Sequence, residues 1–317
     1  MKRLCVFAHW DKDNVIDDYV LYYLDALKKV CDTIIFVSDC DLPLHETNKL
    51  KGLCEHFIAK KHGEYDFGSY KRGFLFAEEK LYNYDELVFA NDSVYGPFYP
   101  LNTIFEKMDK KKCDFWGMTK NNYGIQSENA IDKPVWKPHI QSYFLVFKKQ
   151  VFKSEIFTNF INRIKREEKK NDIIKNYEIG LSQILYQNKF KSEVFIKKYK
   201  FVHNCTAAKW KTLIEKDKYP FIKTTIVKNG FYFTGEVKNW REVIKAHSDY
   251  PIELIEKNSS RLSELHENRY EKFNIYRKIR YNLLFASPLE LRYCVILFEK
   301  YTYKILNMLC FNKLKKF

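Results

Sequence analysis

Leu4-Cys5-Val6-Phe7-Ala8 is an unbroken apolar run near the start of the chain. A run of this length without alternation is typical of a strand that is buried on both faces of a sheet. The polar residues 9–11 follow it directly. We therefore predict that residues 4–8 form the first strand of a sheet covered by helices on both sides.

The chain repeats this pattern over its first third. Apolar or β-branched runs alternate with segments of helical period, which predicts strands at 4–8, 33–37, 56–59 and 86–90 and helices at 17–30, 45–53 and 68–81. Such alternation builds a mostly parallel sheet flanked by helices. The predicted fold class is α/β.

The pattern continues less regularly to about Leu254. It predicts a polar loop at 120–137, a strand at 142–147 and helices at 101–108, 154–169, 177–186, 210–216 and 240–245. Residues 1–258 are accordingly predicted as one domain. Residues 259–317 are predicted as a basic, amphipathic helical extension.

Charge and cysteine spacing narrow the function classes. The 317 residues carry a formal net charge of +15, and residues 259–317 hold 12 Lys and Arg against 5 Asp and Glu. A basic chain is drawn to anions such as phosphorylated ligands, anionic lipids or nucleic acid. No cysteine pair has metal-site spacing, and neither a signal peptide nor a bilayer-spanning stretch is predicted, so the expected compartment is the cytoplasm.

Ligands of such sheets collect beyond the carboxyl ends of the strands, so the residues that follow strands are the candidates. The most informative is Asn91-Asp92-Ser93-Val94-Tyr95-Gly96-Pro97 after the fourth strand. Its carboxylate, Asp92, could hold Mg²⁺ or Mn²⁺ against a diphosphate. The alternative is that Asp92 only caps the turn.

Other candidates stand at strand ends and helix starts. Asp66 could bind a base or ribose, and Lys71 or Arg72 a phosphate, unless Asp66 or Ser69 is an ordinary helix cap. Glu178 is a candidate general base, with a solvated surface residue as the alternative.

Three polar residues, His139, Gln141 and Ser142, precede a predicted strand. Asp114 adjoins Trp116, a pair that suits sugar contact or, alternatively, core packing.

Five motifs in register closely resemble the rhamnan synthesis protein F family, whose members are rhamnosyltransferase-type enzymes of cell-wall and capsule assembly. They are the stretches at 65–71, 91–97, 114–117, 139–144 and 177–182, and the likeness extends over roughly residues 1–255. The resemblance implies a GT-A-like fold, a nucleotide-sugar donor and a saccharide acceptor. One departure is that Asp92 stands alone where GT-A enzymes usually carry a D-x-D metal motif.

The resemblance lets each candidate be given a role in glycosyl transfer. The catalytic candidates are Asp92, Asp114 and Glu178; the donor-binding candidates are His9, Ser38, Asp66, Lys71, Arg72, Asn91 and Ser93; the sugar-binding or acceptor-binding candidates are Trp116, His139, Gln141 and Ser142. Asp92 is the predicted ligand of a divalent cation. Rhamnose is the favoured sugar, with a galactofuranosyl or heptosyl unit as alternatives.

Two hypotheses from other functional classes remain open. A nucleic-acid-binding protein fits the net charge, but no helix-turn-helix, zinc-finger or RNP pattern is present. A non-catalytic sugar-binding protein would share the motifs.

In the tail, apolar residues from 291 to 309 follow helical spacing beside several lysines. This predicts peripheral attachment to anionic lipid, where a lipid-linked acceptor would lie, or packing on protein.

Overall fold

A central mixed sheet organises the chain in the computed structural model, which describes residues 1–124, 135–199, 204–228 and 239–263. Its strands lie in the order β3-β2-β1-β4-β8-β6-β7, with β9 paired to β6. The strands are β1 Arg3–His9, β2 Thr33–Ser38, β3 His56–Ala59, β4 Glu86–Asn91, β5 Val94–Tyr95, β6 Phe115–Gly124, β7 Val135–Ile140, β8 Phe144–Lys148, β9 Ser192–Ile196 and β10 Ile222–Lys223. Strands β5 and β10 form a separate two-stranded ribbon.

Helices cover both faces of this sheet. They are α1 Asp18–Lys28, α2 Leu44–Asn48, α3 Tyr65–Ala77, α4 Leu101–Asp109, α5 Lys149–Phe152, α6 Glu155–Asn162, α7 Lys170–Ile173, α8 Gly180–Gln187, α9 Cys205–Ala208, α10 Trp210–Asp217, α11 Thr224–Lys228, α12 Trp240–His247 and α13 Glu253–Ser263. Two apolar cores result, one on each side of β1, because Cys5 and Phe7 face one core while Leu4, Val6 and Ala8 face the other. The predicted mostly parallel sheet with flanking helices is confirmed.

The first half of the sheet follows the sequence pattern closely. Strand β1 pairs in parallel with β2 and β4, and β2 pairs in parallel with β3. The second half contains reversals, because β8 runs antiparallel to both β4 and β6. The reversal brings the start of β8 to the carboxyl end of β4, where the Asn91 amide donates to the Tyr143 carbonyl at 3.3 Å. Residues 139–142 thus reach the same edge as residues 91–93.

Some predicted elements need correction. The predicted loop at 120–137 contains the end of β6 and the start of β7, and no strand was predicted for β9 or β10. The predicted helix at 154–169 ends at Asn162. The six described cysteines are free thiols, and all but Cys54 are buried, as expected for small hydrophobic core residues.

The predicted boundary at 258/259 falls inside α13, which runs without a break from Glu253 to Ser263. Asn258 bonds on both sides of the fold, donating to Asp17 and accepting from Tyr95. The rest of the predicted extension, residues 264–317, lies outside the described residues, so the two-part division stays a prediction. No helix in the described ranges is long and apolar enough to cross a membrane.

Candidate functional site

Asp92 lies where β4 ends, next to the end of β1. Its Oδ2 accepts the backbone N–H of Trp10 at 2.8 Å and lies 4.0 Å from His9 Nε2. Burial raises the pKa of Asp92 to about 8, and the nearby charge of Asp66 contributes in the same direction. The carboxylate does not cap its own turn, because the N–H of Ser93 bonds to Asn91 instead.

Asn91 joins Asp92 to α3. Its Nδ2 donates to Asp66 Oδ2 at 2.7 Å, and its Oδ1 accepts from the Ser93 hydroxyl at 2.6 Å. The N-cap residue of α3 is Glu64, so Asp66 lies inside the first turn, where its carboxylate accepts from Asn91. Burial raises the pKa of Asp66, which indicates that its negative charge is poorly compensated.

Glu178 is bound at the same edge rather than solvated. Its Oε2 accepts from the Ser142 hydroxyl at 2.6 Å and the Ser142 amide at 3.0 Å. His139, which is buried, places Nε2 3.8 Å from the Glu178 Oε1. Glu178 lies in a π-helical turn, Ile174–Ile179, an irregularity that is frequent at functional sites.

Two lysines that the sequence analysis did not single out complete the cluster. Strand β10 pairs antiparallel with β5, so Lys223 lies opposite Val94, and its Nζ donates to Ser93 Oγ at 3.2 Å. Burial lowers the pKa of Lys223 to about 8, although Glu178 and Asp66 oppose the shift. Burial also lowers the pKa of Lys228, which faces Asp92. The family resemblance extends through the stretch 220–223, which ends at Lys223, but its contact with Ser93 depends on the long-range pairing of β5 with β10.

The loop between β1 and α1 forms the rim of this edge. His9 Nδ1 lies 2.9 Å from Ser38 Oγ, and burial lowers the pKa of His9 to about 4, which leaves it neutral at pH 7. Trp10 is 57% exposed beside them. Arg261, from α13, contacts Asp11 and two further loop carboxylates.

Two predicted phosphate-binding residues are engaged elsewhere. Lys71 Nζ donates to the carbonyls of Asn162 and Ile164 at 3.0 and 2.7 Å. Arg72 pairs with Glu64 at 2.8 Å. Lys71 therefore binds backbone at the end of α6 and just beyond it, Arg72 binds the residue that precedes α3, and the structure does not bring either to Asp92.

Three other candidates also have structural contacts. Asp114 stands at the start of β6, the opposite edge of the sheet, where it accepts from Gln150 and from the Lys191 amide. Trp116 is fully buried against core aromatic rings, which agrees with the packing alternative and leaves no surface for a sugar.

Gln141 is buried as well. Its Oε1 accepts from Thr119 Oγ1 at 2.7 Å, and its Nε2 donates to Asn204 Oδ1 at 3.4 Å.

The oxygen ligands available at Asp92 suit a cation whose remaining ligands are supplied by the substrate. No group of three or more His, Cys, Asp or Glu side chains within the described part of the chain is arranged to hold a metal ion. Mg²⁺, however, is often held by one or two carboxylates together with substrate phosphates. The partly buried, poorly compensated carboxylates Asp92 and Asp66 fit that arrangement and do not form a preformed cage.

Two curated relatives match part of this chain. The virulence protein VirA of Vibrio anguillarum is 32% identical over 185 residues, which cover 57% of this chain and 55% of the relative. The uncharacterized protein y4gN of Sinorhizobium fredii is 27% identical over 150 residues, which cover 47% of this chain and 37% of the relative. The matched regions thus span about half or less of these relatives.

Among solved structures, the core-mannan synthase A of Aspergillus fumigatus, in its Mn/GDP form, shares 9% identity with a TM-score of 0.34, covering 58% of this chain and 69% of that one. The profile of the rhamnan synthesis protein F family matches residues 34–309, well past residue 255, where the motif resemblance ends. The chain therefore belongs to the rhamnan synthesis protein F family.

Proposed function

We propose that the protein transfers a sugar, with rhamnose favoured, from a nucleotide-sugar donor to a saccharide acceptor in cell-surface or capsular polysaccharide synthesis. One observation carries the proposal: Asp92, Asp66 and Glu178 converge at the carboxyl edge of the sheet through Asn91 and Lys223. Membership of the rhamnan synthesis protein F family supports glycosyl transfer as the reaction class. The choice of rhamnose rests on the family's name, and the role in capsule assembly rests on the family resemblance.

The reaction needs an acid–base group and a site for the leaving group. The acceptor hydroxyl oxygen forms a bond to the anomeric carbon while the bond from that carbon to the diphosphate oxygen breaks. The electron pair leaves with the nucleoside diphosphate, and the hydroxyl proton passes to a carboxylate. Glu178 is our candidate base, because Ser142 orients its Oε2 and it lies at the same edge as Asp92.

Asp92 would hold a divalent cation, Mg²⁺ or Mn²⁺, together with the donor diphosphate. Bound there, the cation would offset negative charge on the departing nucleotide. His9, Ser38 and Asp66 would face the nucleoside, because they stand at the ends of β1 and β2 and the start of α3. Ser142 and His139 would lie toward the acceptor through Glu178.

The acceptor is proposed to be lipid-linked, and the tail to be the membrane-binding segment. The apolar spacing and the positive charge of residues 291–316, which lie outside the described residues, support this proposal. Co-sedimentation with anionic vesicles should be lost on truncation after Arg280. Equal sedimentation of the full and truncated chains would exclude the tail as an anchor.

A donor panel tests the proposed reaction. Nucleotide-activated rhamnose, galactofuranose and heptose should be compared by melting temperature, which a bound ligand raises, and by release of free nucleoside diphosphate. A transferase gives both signals with its donor. A melting shift without release, even with added saccharide acceptors, would indicate a non-catalytic sugar-binding protein. A shift only with nucleic acid would reject the proposal.

A further inference from the structure

Lys223 is a partly buried ammonium group without a carboxylate in contact. Its Nζ bonds to the Ser93 hydroxyl at 3.2 Å and lies 3.9 Å from the centre of the Tyr143 ring. Glu178 and Asp66 face it, as does the cation Lys170, but no described carboxylate oxygen comes within 4.0 Å. Lys223 therefore differs from Lys71, whose Nζ donates to two backbone carbonyls.

This arrangement is unfavourable for the protein on its own. Removing an ammonium group from water costs free energy unless a counter-charge contacts it directly. The depressed pKa of Lys223, about 8, reflects that cost. An anion seated against Nζ would stabilise the charged form, so the geometry is that of an anion site.

The position identifies the anion. Lys223 contacts Ser93, the residue after Asp92, where the proposed function places the donor diphosphate. The ribbon geometry fixes this contact: Gly96 has φ +130°, and a Cβ there would lie 2.3 Å from the Pro220 carbonyl oxygen. Glycine at 96 thus allows the chain just before β10 to approach this closely.

We propose that Lys223 binds the diphosphate of the donor and stabilises the nucleoside diphosphate as it departs. This inference rests on the proposed function and replaces the predicted phosphate contacts of Lys71 and Arg72, which bind elsewhere. The lysine remains protonated throughout and contributes charge and hydrogen bonds. Lys228, whose pKa is affected by the charge of Asp92, would add a second positive charge near that carboxylate.

Binding of inorganic pyrophosphate, UDP, GDP and dTDP to the full chain, measured by calorimetry, tests the proposal. Lys223→Met should weaken binding of the diphosphate that the wild type prefers by about 10-fold to 100-fold, because a charge-assisted hydrogen bond is lost. The matching nucleoside should bind the variant and the wild type within about twofold. Lys223→Arg should restore most of the affinity.

Lys29→Met is the matched control, since Lys29 is an exposed lysine directly after α1 that pairs with Asp25. It removes the same charge and should leave affinity unchanged. If Lys223→Met does not fold, Lys223→Gln takes its place. Unchanged diphosphate affinity in a folded Lys223 variant would overturn this proposal alone. Failure of the wild type to bind pyrophosphate or any of the nucleotides would overturn the proposed function with it.

Discussion

Both edges of the central sheet carry charged side chains that are at least partly buried. The charges form direct ion pairs at one edge and do not at the other. The amino edge is the side of the sheet where the parallel strands β1 and β4 begin. There, Arg3 Nε contacts Glu86 at 2.6 Å and Arg3 Nη2 contacts Asp109 at 2.8 Å. At the carboxyl edge, the charges of Asp92, Asp66 and Lys223 are neighbours without such direct pairing. A charge that is matched within the chain stabilises the fold, whereas an unmatched one is available to a ligand.

The pKa values of the two cations, Arg3 and Lys223, follow the same contrast, although burial raises the pKa of Glu86 against the opposing effect of Arg3. Burial by itself lowers the pKa of Arg3, but Glu86 and Asp109 raise it above the usual value. Burial dominates at Asp92 and Lys223, where neighbouring charges do not reverse the shift. A cavity of about 510 Å³ also opens at the amino edge beside Arg3, but Arg3 and Asp109 are already paired there. Cavity volume alone would therefore misplace the site.

The largest expected effect is on turnover at the carboxyl edge. Asp92→Asn should lower the rate on the donor identified by the panel by on the order of 100-fold or more, because the carboxylate needed for leaving-group stabilisation is lost. The melting temperature of the ligand-free variant should not fall, since the amide oxygen can still accept from Trp10. Near-normal turnover in this variant with Mg²⁺ and Mn²⁺ chelated would refute the metal role.

The second effect is on stability at the amino edge. Arg3→Met leaves Glu86 and Asp109 without their cation, which should cost about 3–5 kcal/mol, as for other broken buried pairs. Thermal unfolding should show this, while turnover below the transition stays near the wild-type value. Lys29→Met, which breaks an exposed pair, should cost at most about 1 kcal/mol. A similar cost for both would mean that the two edges do not differ as described.

The third effect is a dependence of stability on pH at Lys223. Its pKa is about 8 in the folded state and about 10.4 in an unfolded chain, so the charged form is disfavoured by folding. Below pH 8 the ligand-free wild type bears this full cost, and above about pH 10.4 it bears none. Lys223→Met should therefore melt higher than the wild type at pH 7, with the difference shrinking between pH 8 and 10. A difference that grows with pH would contradict the assignment.

The features of the two edges that depend on local sequence can be predicted from the sequence. Those that depend on long-range contacts cannot. The strand ending at Asn91 and the importance of Asp92 follow from an apolar run that stops at polar residues. His9, Asp66 and Asn91 were expected at one edge, and their contacts with each other or with Asp92 place them there. Their roles stay predictions.

The errors share one cause. Lys71 and Arg72 have the right charge near the right motif, but a helix turns them toward α6 and Glu64. Trp116 follows an acid as a sugar-binding residue would, yet it points into the core. Lys223 is about 130 residues from Ser93 in sequence and meets it only through the pairing of β10 with β5. Periodicity carries no information on such pairing.

The smallest expected effect concerns Arg261, which forms ion pairs with carboxylates of the loop at the rim of the carboxyl edge. It contacts Asp11, Asp13 and Asp17, all in the loop whose Trp10 amide holds Asp92. Because Arg261 would act through that loop rather than on substrate, it is a positioning residue.

Arg261→Gln should raise the KM for the donor several-fold while kcat stays within about twofold to threefold, since the loop loses order but Asp92 remains. Stability should fall by about 1–2 kcal/mol, because the side chain is only partly buried and the pairs are partly exposed to solvent. Arg261→Lys should recover part of the KM effect. Lys257→Met, on the same helix with an exposed pair to Asp18, is the matched control and should change neither quantity. A loss of kcat equal to that of Asp92→Asn would instead place Arg261 in contact with the reacting groups.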